Sequence, residues 1–191
     1  MVKLNKIYTR TGDAGQTGLV DGSRVSKADP RIDAIGEVDE ANCAIGIAVA
    51  ALDEGPEREM LSRIQNELFD LGADLATPGE DFTPSDMALR ITAAQVERLE
   101  QEIDGMNSDL APLTSFILPS GPPPVPALHF ARAVVRRAER AAVALNEVEP
   151  LNRQLLAFLN RLSDHLFVGA RKVAGDSGGD VLWKPGGTRD T

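Results

Sequence analysis

The sequence predicts an all-α protein, an up-and-down bundle of five helices with an irregular N-terminal loop. Apolar residues recur at steps of three and four in five separate segments, the period of a helix with one buried face. Clusters of Gly and Pro separate these segments, and a length of 191 residues is typical of one domain. We therefore expect a single domain over residues 1–191, with the loop at 1–30, the bundle at about 31–175 and a tail at 176–191.

Residues 1–30 are rich in Gly, Thr, Ser and Asp and show no helical period, so they predict a loop with a short extended piece at Lys6–Thr9. The first helix is expected from about Ile32, and Gly55–Pro56 ends it. The second covers about Glu57–Ala76. The apolar stripe of the first helix is Ile35, Val38, Ala41, Ile45, Ala48 and Leu52.

The second half of the bundle follows a loop at Thr77–Leu89. Thr92 begins a third helix, because Thr-x-x-Gln forms a capping box. Neither a helix nor a central strand can pass through the proline-rich segment Asn107–Pro126. Two helices then follow, at about Ala127–Glu147 and Pro150–Ala174, and their 3–4 alternation is typical of helices crossing at about 20°. We expect the tail to start as an ordered apolar segment and to end in disorder.

Charge and residue counts exclude several classes of protein. The chain has 29 acidic and 20 basic residues, a net charge of −9, which disfavours binding to nucleic acid or to an anionic membrane. No apolar run approaches the ~20 residues that span a bilayer, and the N-terminus lacks a signal peptide core. We expect a cytoplasmic protein. One cysteine, Cys43, and two histidines, His129 and His165, exclude a multi-cysteine or histidine-rich metal centre; we expect Cys43 to be a core thiol and the histidines to be packed or on the surface.

The segment TRTGDAGQTGL, Thr9 to Leu19, could form a cradle for an anion. Glycines let backbone N–H groups turn towards a ligand, and hydroxyl groups add donors. A plain surface turn explains the same composition. No Gly-Lys-Ser/Thr closes the segment, so it is not a Walker A loop. Lys27 could reach a phosphate from the same segment or could be an isolated surface lysine.

A stripe of arginines lies on the fourth helix. Arg132, Arg136 and Arg140 are four residues apart and share one face, where like charges repel unless anions or acidic partners meet them. A solvated face is the alternative. Glu139 lies three residues after Arg136 on the same helix. Asp39 on the first helix could meet an arginine across helices or subunits, or it could be solvated.

Three further residues are candidates for a binding site. Asn160 and Asp164 are one turn apart on the fifth helix, and Phe116 in SFILPSG could wall a binding cleft or pack in the core. No nucleophilic Ser or Cys has a recognisable His partner, and neither HExxH nor Glu-x-x-His occurs. The sequence thus has phosphate-binding groups without an obvious acid–base catalyst.

Four motifs, TRTGDAGQTGL, FILPSG, ALHFARAVVRRAER and LNRLSDHLFVGAR, resemble the PduO-type ATP:cob(I)alamin adenosyltransferases, in the same order and at similar spacing over nearly the whole chain. The resemblance implies a five-helix bundle that assembles as a homotrimer with its active site between subunits. It implies transfer of the 5′-deoxyadenosyl group of ATP to the cobalt of cob(I)alamin, with Mg²⁺ bound mainly through the ATP phosphates. A corrinoid reductase and an adenosylcobalamin-dependent acceptor enzyme are the implied partners.

The resemblance also implies residue roles. Lys27 and Arg136 match residues at the phosphates, with Glu139 and Asn160 beside the nucleotide. Asp39 and Arg132 match an intersubunit ion pair. The nucleotide loop corresponds to Thr9, Arg10, Thr11, Gly12, Asp13, Gly15 and Thr17.

Phe116 matches the aromatic residue that helps to displace the lower axial base of the corrinoid. Ser120 and the prolines after it depart from the common FILPGG pattern, which leaves the corrinoid specificity open. Two other classes compete with the enzyme: a non-catalytic nucleotide sensor on the same bundle, and a helical interaction protein that makes no use of the first motif.

Overall fold

The predicted five-helix bundle is confirmed. The computed structural model describes residues 7–85, 88–176, 178–187 and 189. Within them no helix is long and apolar enough to cross a membrane. The helices are α1 (Pro30–Ala51), α2 (Pro56–Leu75), α3 (Ala93–Asn107), α4 (Pro124–Asn146) and α5 (Arg153–Gly175).

Ion pairs between helices show that α2 and α3 run in opposite directions. Arg63, early in α2, lies 2.8 Å from Glu102, late in α3. Arg98, early in α3, lies 2.7 Å from Glu67, further along α2.

The α1 and α4 helices are antiparallel as well. Glu37 near the start of α1 pairs with Arg137 on α4 at 2.5 Å, and Arg31 pairs with Glu149, which follows α4, at 2.5 Å. A short turn joins α4 to α5, which returns along α4. The chain therefore runs up, down, up, down and up, as the pattern predicted.

Small side chains let α1, α4 and α5 approach closely. Most residues of the predicted apolar stripes are buried, Ile35 and Leu52 only partly so, and Phe158 on α5 is among the largest side chains with no exposed surface. Alanine at the contact positions removes bulk between backbones, so near-parallel helices can pack at short interaxial distance. The alanines with no exposed surface on α1 and α4 are Ala34, Ala41, Ala48, Ala131, Ala138 and Ala142.

Helix ends follow local chemistry. Asp29 caps α1, where its carboxylate accepts a hydrogen bond from the Arg31 N–H at 2.8 Å, and the capping box at Thr92 and Gln95 begins α3 as predicted. The α4 helix begins at Pro124, three residues before the predicted start. Proline is tolerated there because the N–H groups of a first turn have no intrahelical partner.

A small β-hairpin was not predicted. Strand β1 (Gln16–Gly18) pairs with β2 (Arg24–Ser26), with Thr17 opposite Val25. Strands of three residues are too short to show an alternating pattern, so the sequence did not reveal them. The N–H of Val20 donates to the Ala76 carbonyl at 3.1 Å, which fastens the hairpin to the end of α2. Ile7–Thr9, where a short extended piece is expected, form no strand; Lys6 lies outside the described residues.

The tail folds back onto the proline-rich segment. Ile117 forms a β-bridge with Leu182, and the N–H of Trp183 donates to the Phe116 carbonyl at 2.7 Å. The expected disordered end at Thr188, Asp190 and Thr191 lies outside the described residues.

Cys43 corrects one expectation. Its thiol is exposed, because it projects from α1 between the buried positions on either side of it and not into the core.

Candidate active site

The N-terminal segment forms a compact loop. The N–H of Asp13 donates to the Arg10 carbonyl at 3.3 Å, and that of Gly15 donates to the Gly12 carbonyl at 3.1 Å. Arg10 and Gly15 both have positive φ, 64° and 79°, which a glycine adopts without steric cost. The hydroxyl oxygens of Thr9 and Thr11 lie 2.8 Å apart. The loop is exposed, with backbone and hydroxyl donors close together.

Lys27 lies against this loop. Its backbone N–H donates to the Gly15 carbonyl at 2.9 Å, and a Cβ placed on Gly12 would be 3.1 Å from its Nζ. Gly12 therefore leaves the space that the ammonium group occupies. Among the ion pairs of the described residues, none includes Lys27, so its charge is available to an anion at the loop.

Arg24, on β2, binds backbone carbonyl groups of the loop. Its Nη2 donates to the carbonyl oxygens of Thr11, at 2.9 Å, and Gln16, at 3.3 Å. Sequence reasoning missed Arg24 because the hairpin that directs it across the loop was not predicted.

On the bundle, the structure brings Glu139 and Asn160 together. Asn160 Nδ2 on α5 donates to Glu139 Oε1 on α4 at 2.9 Å. Arg136 is exposed one turn away, its carbonyl accepting a bond from Arg140 Nη1 at 2.9 Å. No ion pair in the described chain includes Arg136. Its guanidinium is thus a second cation open to a ligand.

Arg132 lies in a cleft of about 440 Å³ that Phe116, Phe167, Leu113, Ser115 and Ile117 also line. Its guanidinium carbon is 5.9 Å from the centre of the Phe167 ring, and its buried Nε has no hydrogen-bond partner. Burial, and then the positive charge of Arg136, hold the pKa of Arg132 below its ordinary value. A carboxylate from outside the chain would compensate this charge.

Asp39 is exposed on α1, beside a groove of about 470 Å³ between α1 and α2. Phe69, 72% exposed, also lines this groove. Within the described part of one chain, no ion pair joins Asp39 to Arg132. The neighbouring carboxylates Glu37 and Glu40 both contact Arg137, each at 2.5 Å.

Phe116 is not a core residue: it is 77% exposed. Its ring lies edge to face with that of Trp183, with centroids 5.9 Å apart and an interplanar angle of 62°. The Ser115 hydroxyl also donates to the Trp183 carbonyl, at 2.8 Å. Trp183 was not predicted as a site residue, although the apolar start of the tail was the signal that could have found it.

The two histidines are buried. His165 Nε2 lies 3.0 Å from Glu102 Oε2, whereas neither ring nitrogen of His129 has a hydrogen-bond partner. Burial, followed by the charge of Arg132, lowers the pKa of His129. Neither residue lines the cleft, and the described residues contain no group of three or more His, Cys, Asp or Glu side chains that could hold a metal.

The family model described as cobalamin adenosyltransferase matches residues 7–173. The chain belongs to this family. It is 48% identical to the corrinoid adenosyltransferase of Mycobacterium leprae, covering 97% of this chain and 99% of the relative. It is 44% identical to that of Bacillus subtilis, covering 94% and 92%.

Solved structures agree with this assignment. A phenylalanine-to-alanine variant of the PduO-type ATP:corrinoid adenosyltransferase from Lactobacillus reuteri, complexed with cobalamin and ATP, is 38% identical. It superimposes with a TM-score of 0.84 over 94% of this chain and 99% of that one. An arginine-to-lysine variant complexed with ATP has a TM-score of 0.81, at 37% identity over 93% and 100%. The resemblance to the PduO-type family is confirmed.

Proposed function

We propose that this protein transfers the 5′-deoxyadenosyl group of ATP to the cobalt of cob(I)alamin, or of a related reduced corrinoid, and releases triphosphate. The observation that carries the proposal is the pairing of two sets of groups on one small bundle. One is an exposed donor loop with Lys27 against it; the other is an aromatic cleft with Phe116 at its edge, next to the Arg132–Arg136 stripe. The first suits a polyphosphate, and the second suits a large flat ligand.

The reaction explains why the site holds cations and no positioned base. The electron pair of Co(I) attacks C5′ of ATP, the C5′–O bond breaks, and its electrons leave with the triphosphate. No proton needs to be removed from the nucleophile. The protein must bring the two substrates together, exclude water and stabilise negative charge on the leaving group.

Each cation has a place in this scheme. Lys27 and Arg136 bind the phosphates as charged donors, together with the loop residues from Thr9 to Thr17. Glu139 and Asn160 contact the nucleotide from the bundle. Mg²⁺ arrives with ATP, held by phosphate oxygens, and supplies further neutralisation of charge.

The site is shared between neighbouring copies of the chain in a homotrimer. In the described chain, no hydrogen bond or ion pair joins the N-terminal loop to Arg136, Glu139 or Asn160. Among the described residues, Arg132 has no carboxylate partner and Asp39 has no cationic partner, and a pair between the two across a subunit boundary would supply both. This pair would bring the loop of one subunit towards the arginine stripe of the next.

Phe116 acts on the corrinoid. An exposed aromatic ring held by Trp183 can occupy the space beneath the corrin ring and displace the lower axial base. Loss of this ligand makes cob(II)alamin four-coordinate and easier to reduce. We place the reaction in the cytoplasm, with a corrinoid reductase supplying electrons and an adenosylcobalamin-dependent enzyme accepting the product.

Mixing the protein with ATP, Mg²⁺ and chemically reduced cobalamin tests the proposal. We expect the visible spectrum of adenosylcobalamin to appear with wild-type protein and not when ATP is omitted. A nucleotide sensor would bind ATP without forming the product, and a helical interaction protein would bind neither substrate. Either result would overturn the proposal.

A further inference from the structure

A chain of hydrogen bonds connects α3 to the nucleotide side of the bundle. Arg161 on α5 donates from Nε to Glu100 Oε1 on α3, at 2.8 Å, and from Nη1 to Asn160 Oδ1, at 2.6 Å. Asn160 in turn donates from Nδ2 to Glu139 Oε1 at 2.9 Å. One guanidinium therefore bonds to a carboxylate on one side and an amide on the other. Four residues on three helices form a single line: Glu100, Arg161, Asn160 and Glu139.

The chemistry of the end members leaves one orientation for the amide between them. Arginine can only donate and a carboxylate can only accept. The Asn160 oxygen must therefore face Arg161, and its nitrogen must face Glu139. A rotation of the amide by 180° would place two donors against each other and two acceptors against each other.

The ion pair itself contributes little to stability. The side chains of Arg161 and Glu100 are 38% and 45% exposed, and exposed pairs of this kind contribute about 0–1 kcal/mol. Their geometry matters more, because the planar guanidinium bonds in two fixed directions at once. Glu139 Oε2 has no hydrogen-bond partner among the described residues. A carboxylate held on one oxygen thus presents the other to a ligand.

We propose that Arg161, fixed by Glu100, is a positioning residue for adenosyl transfer: it sets the orientation of Asn160 and, through it, of Glu139. This proposal rests on the proposed function, in which Asn160 and Glu139 contact the nucleotide. Arg161 and Glu100 themselves need not touch either substrate.

Arg161→Met removes every hydrogen-bond donor of this side chain and tests the role of the guanidinium. We expect kcat/KM for ATP to fall about 10-fold, as for the loss of one charge-assisted hydrogen bond that holds a binding group, with little change in thermal stability. The matched control is Arg58→Met, which removes a solvent-exposed ion pair with Glu54 on the N-terminal side of α2 (side chains 36% and 88% exposed). The control should change kcat/KM less than about 2-fold. Equal losses in the two variants would overturn the proposal.

A charge exchange separates positioning from structural support. The double variant Glu100→Arg/Arg161→Glu restores an ion pair between α3 and α5, so a purely structural role predicts recovery of activity. The carboxylate that replaces the guanidinium in that variant cannot donate to Asn160 Oδ1. We therefore expect thermal stability to stay near that of wild type while kcat/KM stays low, and a kcat/KM near that of wild type would overturn the proposal.

A double-mutant cycle distinguishes failure of this proposal from failure of the proposed function. In an Asn160→Ala background, Arg161→Met should cause no further loss, because Arg161 acts through Asn160. If turnover is too slow to measure, the ATP affinities of the same variants, measured by titration calorimetry, replace kcat/KM in the cycle. Additive losses would overturn the positioning role alone. Full activity of Asn160→Ala would instead overturn the assignment of Asn160 to the site, and the positioning role with it.

Discussion

Phe116 and Trp183, 67 positions apart in the sequence, meet edge to face at the mouth of the Arg132 cleft, with ring centroids separated by 5.9 Å. A β-bridge between Ile117 and Leu182 fixes the two backbones beside them. The exposed Phe116 ring is thereby held by the tail and not by the core.

This contact predicts separate effects on the two substrates. Phe116→Ala should leave ATP affinity unchanged and reduce formation of four-coordinate cob(II)alamin, measured from its spectrum in the presence of ATP. Preformed cob(I)alamin should restore part of the rate, because it bypasses the loss of the axial ligand. A wild-type amount of four-coordinate species in this variant would exclude Phe116 from corrinoid binding.

Trp183→Ala should produce a smaller defect of the same kind. An edge-to-face pair contributes about 0.5–1.5 kcal/mol, so we expect roughly a 2- to 10-fold loss in the same spectroscopic yield. Trp183→Phe keeps an aromatic edge and is the control, with near wild-type yield. If Trp183→Ala lowers ATP affinity instead, the tail serves the nucleotide and not the corrinoid.

Arg136→Ala should remove most of the activity without unfolding the bundle, because the Arg136 side chain is exposed and its carbonyl bond from Arg140 is retained. Loss of a charge-assisted contact to phosphate costs about 1.5–3 kcal/mol, or roughly 10- to 150-fold in kcat/KM. Circular dichroism checks the fold. Normal turnover by a folded variant would exclude Arg136 from the site.

Subunit mixing tests the shared site. Lys27→Ala damages the loop and Arg136→Ala damages the stripe, so each homotrimer should be nearly inactive. After proven exchange in a 1:1 mixture, about a quarter of the interfaces in a symmetric assembly combine an intact loop with an intact stripe. We expect a similar fraction of wild-type activity. No recovery would mean that loop and stripe act within one chain.

The sequence predicted the helices better than the site geometry. In each helix, from Val38 to Leu166, apolar residues recur at steps of three and four along the buried face. This local spacing is enough to predict the bundle. Arg24 and Trp183 act through partners 8 to 68 positions distant, and Arg161 is fixed by a carboxylate on another helix; no local pattern marks such contacts. Phe116 shows the same limit of sequence-based prediction. An apolar residue in an apolar run can be buried or exposed, and the position of the tail decides between the two.

A partly buried charge network in the bundle predicts an acid-dependent loss of stability. Glu102 on α3 contacts His165 at 3.0 Å and Arg63 at 2.8 Å. Burial alone would raise the pKa of Glu102, but the hydrogen bonds from His165 and Arg63 outweigh it and hold this pKa below its ordinary value. A carboxyl group with a lowered folded-state pKa stabilises the fold above its unfolded pKa of about 4.3, and this contribution is lost as pH falls through the folded value.

Glu102→Gln should therefore lower the free energy of unfolding at pH 7 by about 1.5–3 kcal/mol, the contribution of hydrogen bonds to a charged group. The difference from wild type should shrink as pH falls below the unfolded pKa of about 4.3, because the unfolded state then takes up a proton that the folded carboxylate resists. Urea unfolding at equal protein concentration, at about pH 7 and about pH 3.5, measures both values. Glu54→Gln is the control, because Glu54 is 88% exposed in its pair with Arg58 and its loss should matter little at either pH. A difference between Glu102→Gln and wild type that does not change with pH would mean that packing around Glu102, and not its charge, stabilises the bundle.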